Sequence, residues 1–391
     1  MKRLHGALTS RALFAFLGVG LASLVCACSG GGGTIPQTAA SQGGLSASAG
    51  VAAAAIRETQ SDALNPRQAV SVPSSNDLVY ISNSGNNTIT VYHHDAQGDT
   101  APLYSIGGSK TGIVGPSQLS EDAQGNLYVV TGSFSLFPAP ESSVLVFAHG
   151  ARGNVAPIRT IYGPATELSG YASGMIVDKA TGKIFVNDNG AGGTPQSLLR
   201  FAPNANGNAA PFARGTIPGY PSGELALDST GNNIITAHPS ICCTFSLQGV
   251  ETFPRQFSNN TTLSSIYSLI GMKNGFSGGG VADDPATKTY LYSSGAGIYR
   301  FAENTTGTGT EDGPASFNLA PISLITSDTC GGYMALGYLR NIYIVHNKQS
   351  GCPTDAMYVY TPDASGNAAP LRVLTGPNTQ LKTPSGIYEG K

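Results

Sequence analysis

Gly98-Asp99-Thr100-Ala101-Pro102, Gly153-Asn154-Val155-Ala156-Pro157, Gly207-Asn208-Ala209-Ala210-Pro211 and Gly366-Asn367-Ala368-Ala369-Pro370 are four copies of one corner, Gly-Asn/Asp-x-Ala-Pro. A worn copy ends Asn318-Leu319-Ala320-Pro321. The prolines are 55, 54, 110 and 49 residues apart, so the long gap holds two units. A sixth corner is expected near residue 266, where Ile266-Tyr267-Ser268-Leu269-Ile270 has the apolar pattern of the strand that follows the other corners. A fixed period of this length marks one supersecondary unit used repeatedly.

Within a unit, four short strand signals alternate with turn chemistry. In the second unit they are Ser117–Asp122, Asn126–Val130, Ser143–Ala148 and Ile158–Tyr162. The first turn, Asp122 to Asn126, is echoed by Asp228 to Asn232 and loosely by Asp178 to Gly182. Asp accepts from backbone N–H groups two residues on and Gly takes positive φ, so these acids are turn formers. One four-stranded sheet cannot bury both of its faces, whereas radial repetition packs each sheet on the next. The chain enters its first unit at a second strand, Leu78-Val79-Tyr80-Ile81, and ends on a lone first strand, Pro384-Ser385-Gly386-Ile387-Tyr388. The expected architecture is therefore all-β: residues 76–391 form a closed six-bladed β-propeller of four-stranded blades, the last strand completing the first blade.

Composition agrees. The 391 residues include 51 Gly and 24 Pro, with 40% hydrophobic and only 11% charged residues. Ordinary proteins are about 25% charged, so coiled coils, helical bundles and charged disordered tails are excluded. The formal net charge is −2 and no basic cluster follows the N-terminal segment, so nucleic acid is not an expected partner.

Residues 1–27 have the form of an export signal. Lys2, Arg3 and Arg11 precede a 14-residue apolar run, Ala12 to Val25. That run suits a signal core and is too short for a bilayer of about 30 Å. Leu24-Val25-Cys26-Ala27-Cys28 resembles a bacterial lipobox. The resemblance implies cleavage after Ala27 and acylation of Cys28, with ordinary signal cleavage as the alternative. Ser29 favours an outer-membrane lipoprotein facing the periplasm or the cell surface. Residues 28–75, rich in Ser, Ala and Gly, are expected to be a flexible tether.

Pro-x-Gly-Ile at Pro384–Ile387, Gly-Asn-Leu-Tyr-Val at Gly125–Val129, and Val-Tyr or Val-Phe before the corners resemble bacterial NHL-type propeller repeats. The resemblance spans residues 76–391 and speaks for architecture. Propellers of this type include binding modules, scaffolds, lyases and lactonases, so activity stays open.

Candidate chemistry lies along the axis. Aligned first strands place Gln118, Gly174, Glu224, Gly280, Tyr333 and Gly386 at one position, with Glu224 the only acid. The glycines are expected to leave room in the channel. Second-strand ends on one face carry Asn187, Asp188, His238 and His346; lone loop histidines are usually solvated, yet with Glu224 these groups could hold a metal. Six-bladed lactonases use such a metal, but no motif of that family surrounds these residues. Neither a Gly-x-Ser-x-Gly nucleophile turn nor a phosphate-cradling loop is present. Export permits disulfides: Cys330 with Cys352 is the first expected pair, closing a loop of about 20 residues worth roughly 3 kcal/mol. Cys242 and Cys243 then pair with each other or stay reduced, and cross-pairing remains open. Blade four is expected to carry an insertion from Pro239 to about Thr262. Arg200 and Arg300, each before a Phe, are expected to stack on neighbouring rings.

The expected function is a binding or scaffold module at the cell envelope, without cofactor and monomeric. It is attached to the membrane only through its lipid, and its ligand is a protein, peptide or glycan. The alternative is a metal-dependent lactonase-like hydrolase or lyase with its site near Glu224.

Overall fold

The computed structural model describes residues 77–132, 142–190, 195–218, 223–238, 248–272, 279–308, 321–328, 330–337 and 339–390. The expected signal, Cys28, the tether, Cys242 and Cys243 lie outside them.

Six antiparallel sheets follow one another around a ring. Blade one is Leu78–Asn83, Thr88–His93 and Tyr104–Gly107, with Pro384–Gly390 as its innermost strand. Blade two is Pro116–Glu121, Leu127–Thr131, Ser143–Phe147 and Arg159–Ile161. Blade three is Ala172–Val177, Ile184–Asp188, Ser197–Phe201 and Ala213–Thr216. Blade four is Leu225–Leu227, Asn233–His238, Gln248–Pro254 and Tyr267–Met272. Blade five is Val281–Asp284, Thr289–Ser294, Gly297–Ala302 and Ser323–Ile325, and blade six is Tyr333–Leu336, Ile342–His346, Ala356–Tyr360 and Arg372–Thr375. The C-terminal strand pairs antiparallel with the first described strand, Tyr80 opposite Tyr388 and Ile81 opposite Ile387. The chain is a closed six-bladed β-propeller.

The period-2 alternation of each strand builds the ring, because successive side chains face different neighbours. In blade two, Leu127 and Val129 join Tyr80, Ile89, Val91 and Ile106 of blade one. Tyr128 and Val130 join Met175, Ile184 and Val186 of blade three. Equivalent apolar clusters fill the other blade junctions, the one between blades one and six containing Ile81, Ile387, Tyr343 and Val345.

The repeated corner is a clasp between blades. The N–H of its Gly donates to the outer strand of the preceding blade: Gly98 to Val373, Gly153 to Ser105, Gly207 to Thr160 and Gly366 to Leu324, at 2.6–2.7 Å. Where the motif is worn, Thr261–Thr262 and Gly307–Thr308 make the same parallel contact with Gly215–Thr216 and Leu269–Ile270. The following Asn or Asp reaches further back. Asn154 Oδ1 accepts from Lys110 N, Asn208 Oδ1 from Ala165 N and Asp99 Oδ1 from Asn378 N, each at 2.7 Å. Gly163 receives the Asn208 amide with φ 126°, and a Cβ there would stand 2.6 Å from Asn208 Oδ1. Two of the five motif residues thus serve the neighbouring blade.

Two expectations change. The third strand of blade four, Gln248–Pro254, runs inside the segment expected to be an insertion and pairs with Asn233–His238. Arg200 does stack, over Phe212 and Phe257 at 4.5 and 4.9 Å. Arg300 is instead paired with Asp284 at 2.6 Å and bonded to Thr289, because blade five buries an acid within its reach.

Candidate functional site

The turn aspartates behave as their spacing requires. Asp122 Oδ1 accepts from the N–H groups of Gln124 and Asn126, and Asp228 Oδ1 from those of Asn232 and Asn233. They are spent on turns, which leaves the axis.

There the six aligned positions alternate. Even blades carry a side chain (Gln118, Glu224, Tyr333) and odd blades carry Gly174, Gly280 and Gly386. The glycines make room for backbone. A Cβ on Gly174 would stand 2.2 Å from Gly223 O, one on Gly280 2.1 Å from Gly332 O, and one on Gly386 2.3 Å from Ser117 O. Those three carbonyls directly precede Glu224, Tyr333 and Gln118. Each is also capped by a second-strand side chain of the odd blade: Asn187 Nδ2 donates to Gly223 O at 3.1 Å, Ser82 Oγ to Ser117 O at 2.7 Å, and Ser293 Oγ to Gly332 O. The ring is therefore three odd–even blade pairs with a pseudo-threefold centre.

The even-blade side chains link the pairs. Gln118 Oε1 accepts from Met175 N of blade three and Leu225 N of blade four at 2.8 and 2.9 Å, while its Nε2 donates to Leu225 O at 2.8 Å. Glu224 repeats the pattern one pair on: its Oε2 accepts from Val281 N of blade five at 3.2 Å and Met334 N of blade six at 3.0 Å. Tyr333, the third even-blade side chain, stands near Ser117 of blade two and the Glu224 carboxyl. Glu224 is fully buried, and its Oε1 has no protein partner. Burial pushes its carboxyl well above the ordinary Glu value, only partly offset by the N–H groups of Met334 and Val281. Burial, with the nearby Glu224 carboxyl, also pushes the Tyr333 phenol up to about 12. A neutral Glu224 has the hydrogen-bonding character of a Gln, matching Gln118 in role.

On either side of this septum lies a cup. The smaller, about 290 Å³, opens on the face of the inter-blade loops and is lined by hydroxyls and amides: Ser84, Ser117, Ser173, Tyr333, Asn347 and Gln349 among them. The larger, about 680 Å³, opens on the other face, with apolar walls from the first strands and Asp228, Asp283, Lys179 and Glu389 among its polar groups. Asp283 is pushed up to about 9, first by burial and then by the carboxyls of Glu303, Asp228 and Asp284.

The remaining candidates stand apart from the axis and from one another. Asp188 Oδ1 accepts from Ser169 N and Oγ at 3.0 and 2.9 Å; its carboxyl is raised because burial outweighs those bonds. Both histidines are buried, contrary to the expectation of solvated loop groups. His238 Nε2 lies 2.9 Å from Glu251 Oε2. Burial raises Glu251, but His238, Ser265 and Ser268 together outweigh it and hold the carboxyl low. His346 Nε2 lies 3.0 Å from both oxygens of Asp328, its ring against Tyr358. Neither Glu251 nor Asp328 carried a signal in the sequence: Glu251 pairs with Thr236 from a strand inside the stretch expected to be an insertion. Cys330 and Cys352 form a disulfide, Cα–Cα 5.6 Å. Among the described residues, the group of His, Cys, Asp and Glu that gathers ligand atoms is Cys330, His346 and Cys352, and it does not include Glu224.

The chain matches no known family model and no curated protein. Solved structures resemble the chain. A chain of a nidogen/laminin complex is 11% identical with a TM-score of 0.51, over 81% of this chain and 98% of that one. Hydrazine synthase of Kuenenia stuttgartiensis is 13% identical with a TM-score of 0.46, over 73% and 80% of the two chains. The PQQ-bound aldose sugar dehydrogenase of Streptomyces coelicolor is 14% identical with a TM-score of 0.44, over 78% and 87%. At 11% identity the likeness to the nidogen/laminin chain concerns the fold alone.

Proposed function

We propose that this chain is an exported, lipid-anchored propeller of NHL type that serves as a binding or scaffold module at the bacterial envelope, free of cofactor and monomeric. One observation carries the binding reading. At the axis Gln118 and Glu224 Oε2 are spent on backbone hydrogen bonds that hold the blades, and the cup above them is lined by neutral hydroxyls and amides. Such a lining suits a neutral, hydrogen-bond-rich ligand, a glycan or a segment of peptide or protein, more than a reaction that develops charge. Cys28 would supply the anchor, and residues 28–75 the reach.

Arrays of envelope oligosaccharides and peptides, probed with the soluble propeller, test the ligand. Gln349 is exposed at the cup, so Gln349→Trp is expected to cut saturable binding at least tenfold without altering the melting temperature. No saturable binding, or binding untouched by this variant, removes the cup as the site. For the anchor, wild type is expected to partition into detergent with the membrane fraction and Cys28→Ser to be released as soluble protein. A wild type recovered entirely in the soluble fraction contradicts lipidation.

A second reading, the lactonase-like hydrolase or lyase, is favoured by one atom. Glu224 Oε1 is buried without a protein partner, as a general base or metal ligand awaiting substrate would be.

A further inference from the structure

Blade six brings together a set of ligand atoms that neither the axial septum nor the cups use. The Sγ atoms of Cys330 and Cys352 and a ring nitrogen of His346 all lie within 4.8 Å of one another. Cys352 and His346 are buried, whereas Cys330 keeps some surface open to solvent. Asp328 holds His346 by Nε2, both carboxylate oxygens at 3.0 Å, and also lies 3.4 Å from the Cys330 N–H and from the Tyr360 hydroxyl. The ring is further fixed by Tyr358, 4.6 Å away between centroids. With Nε2 engaged, Nδ1 is the nitrogen left to ligate. A carboxylate on the far nitrogen of a histidine is the usual outer support of a metal ligand, because it sets the tautomer and raises basicity.

We propose that reduction of the Cys330–Cys352 disulfide converts this cluster into a site for a thiophilic divalent ion such as Zn²⁺. Two thiolates and His346 would bind it, Asp328 would act as positioning residue, and the fourth place would be open to an exogenous ligand. The conversion balances. An external dithiol gives two electrons and two protons to the disulfide and leaves as its own disulfide, and the ion then displaces the two thiol protons. Zinc binds Cys at about 2.3 Å and His at about 2.0 Å, so neighbouring ligand atoms around it stand roughly 3–4 Å apart. Once the S–S bond opens, the sulfurs need to part to about that spacing while a ring nitrogen of His346 already lies within 4.8 Å of both. The Cα–Cα separation of 5.6 Å need change little. Two sulfurs and an imidazole select zinc, or cobalt as its spectroscopic substitute, over calcium or magnesium.

The test is a titration of the whole chain with Co²⁺, in a Cys26→Ser/Cys28→Ser/Cys242→Ser/Cys243→Ser background, so that Cys330 and Cys352 supply the thiols. The protein is reduced with a phosphine under inert gas and exchanged into phosphine-free buffer before titration. The expected result is one equivalent of Co²⁺ bound with a thiolate-to-cobalt charge-transfer band, displaced by Zn²⁺, and no band in the oxidised protein. His346→Ala, which keeps the disulfide and so its route to the folded state, should weaken binding at least tenfold. Asp328→Asn should weaken it about 10–100-fold while the band stays in place, as expected of an outer-shell partner. A reduced, folded protein without the band, or equal affinity in His346→Ala, overturns the proposal.

Discussion

Removing residues 384–391 is expected to abolish cooperative folding of the propeller. The strand Pro384–Gly390 supplies the whole inner edge of blade one and is paired along Leu78–Asn83. Ile387 belongs to the core between blades one and six, and Tyr388 packs on the core between blades one and two. Ser385 Oγ donates to Pro116 O at 2.6 Å, and Tyr343 of blade six donates to Glu389 Oε1 at 3.1 Å. Loss of the strand opens two blade junctions together and leaves Leu78–Asn83 as an unpaired edge, a template for aggregation. Domains are stable by only about 5–15 kcal/mol. Burying one Ile is worth about 1.5–3 kcal/mol, so this strand's side chains and ladder together approach that total. The truncated chain should show no sharp transition in thermal circular dichroism and should elute as aggregate. A melt within a few degrees of wild type would mean that the ring is held closed without it.

The second large effect concerns Glu224. Glu224→Ala leaves the buried N–H groups of Val281 and Met334 without their acceptor, and each orphaned donor costs about 1–3 kcal/mol. The loss should therefore be about 2–6 kcal/mol in denaturant unfolding. Glu224→Gln should behave in the opposite way. Burial raises the folded carboxyl well above its ordinary value, while the unfolded one ionises near 4.5. The unfolded state thus sheds a proton that the folded state keeps. The contribution of neutral Glu224 is whole below about pH 4.5 and is lost progressively as pH rises toward the folded value. Gln cannot ionise and keeps an amide oxygen to accept from the N–H groups of Val281 and Met334. Wild type and Glu224→Gln should be equally stable near pH 4, and the Gln variant more stable at pH 8. Equal stability at both pH values would show that Glu224 is not held neutral.

Much of the architecture was legible because it is written in local chemistry. The Gly-Asn-x-Ala-Pro corners counted the blades, even across the worn stretch, and a first unit entered at its second strand with a lone first strand at Pro384–Tyr388 announced closure. The asparagine of the corner was legible as a turn residue only. Its real partner, the Ala165 N–H in the case of Asn208, lies a blade away. The same limit applied at the axis. Alignment of first strands displays the alternation of side chains with Gly174, Gly280 and Gly386, a pattern that by itself implies an open channel. The space is filled by the carbonyls of Gly223, Gly332 and Ser117, and contacts of Gln118 and Glu224 57 to 110 positions away leave no trace in local patterning. The Cys330–Cys352 pair was anticipated from the blade layout, but Asp328 beside His346 was not. Nothing in the spacing of those two residues sets them apart from the many Asp residues that serve turns.

The central claim is that the polar axis is structural and that Glu224 holds blades rather than a reaction centre. Elemental analysis of the purified, oxidised protein, wild type beside Glu224→Gln, tests it most directly. No stoichiometric metal is expected in either preparation. One equivalent of metal in the wild type that disappears in Glu224→Gln would contradict it and restore the hydrolase or lyase reading.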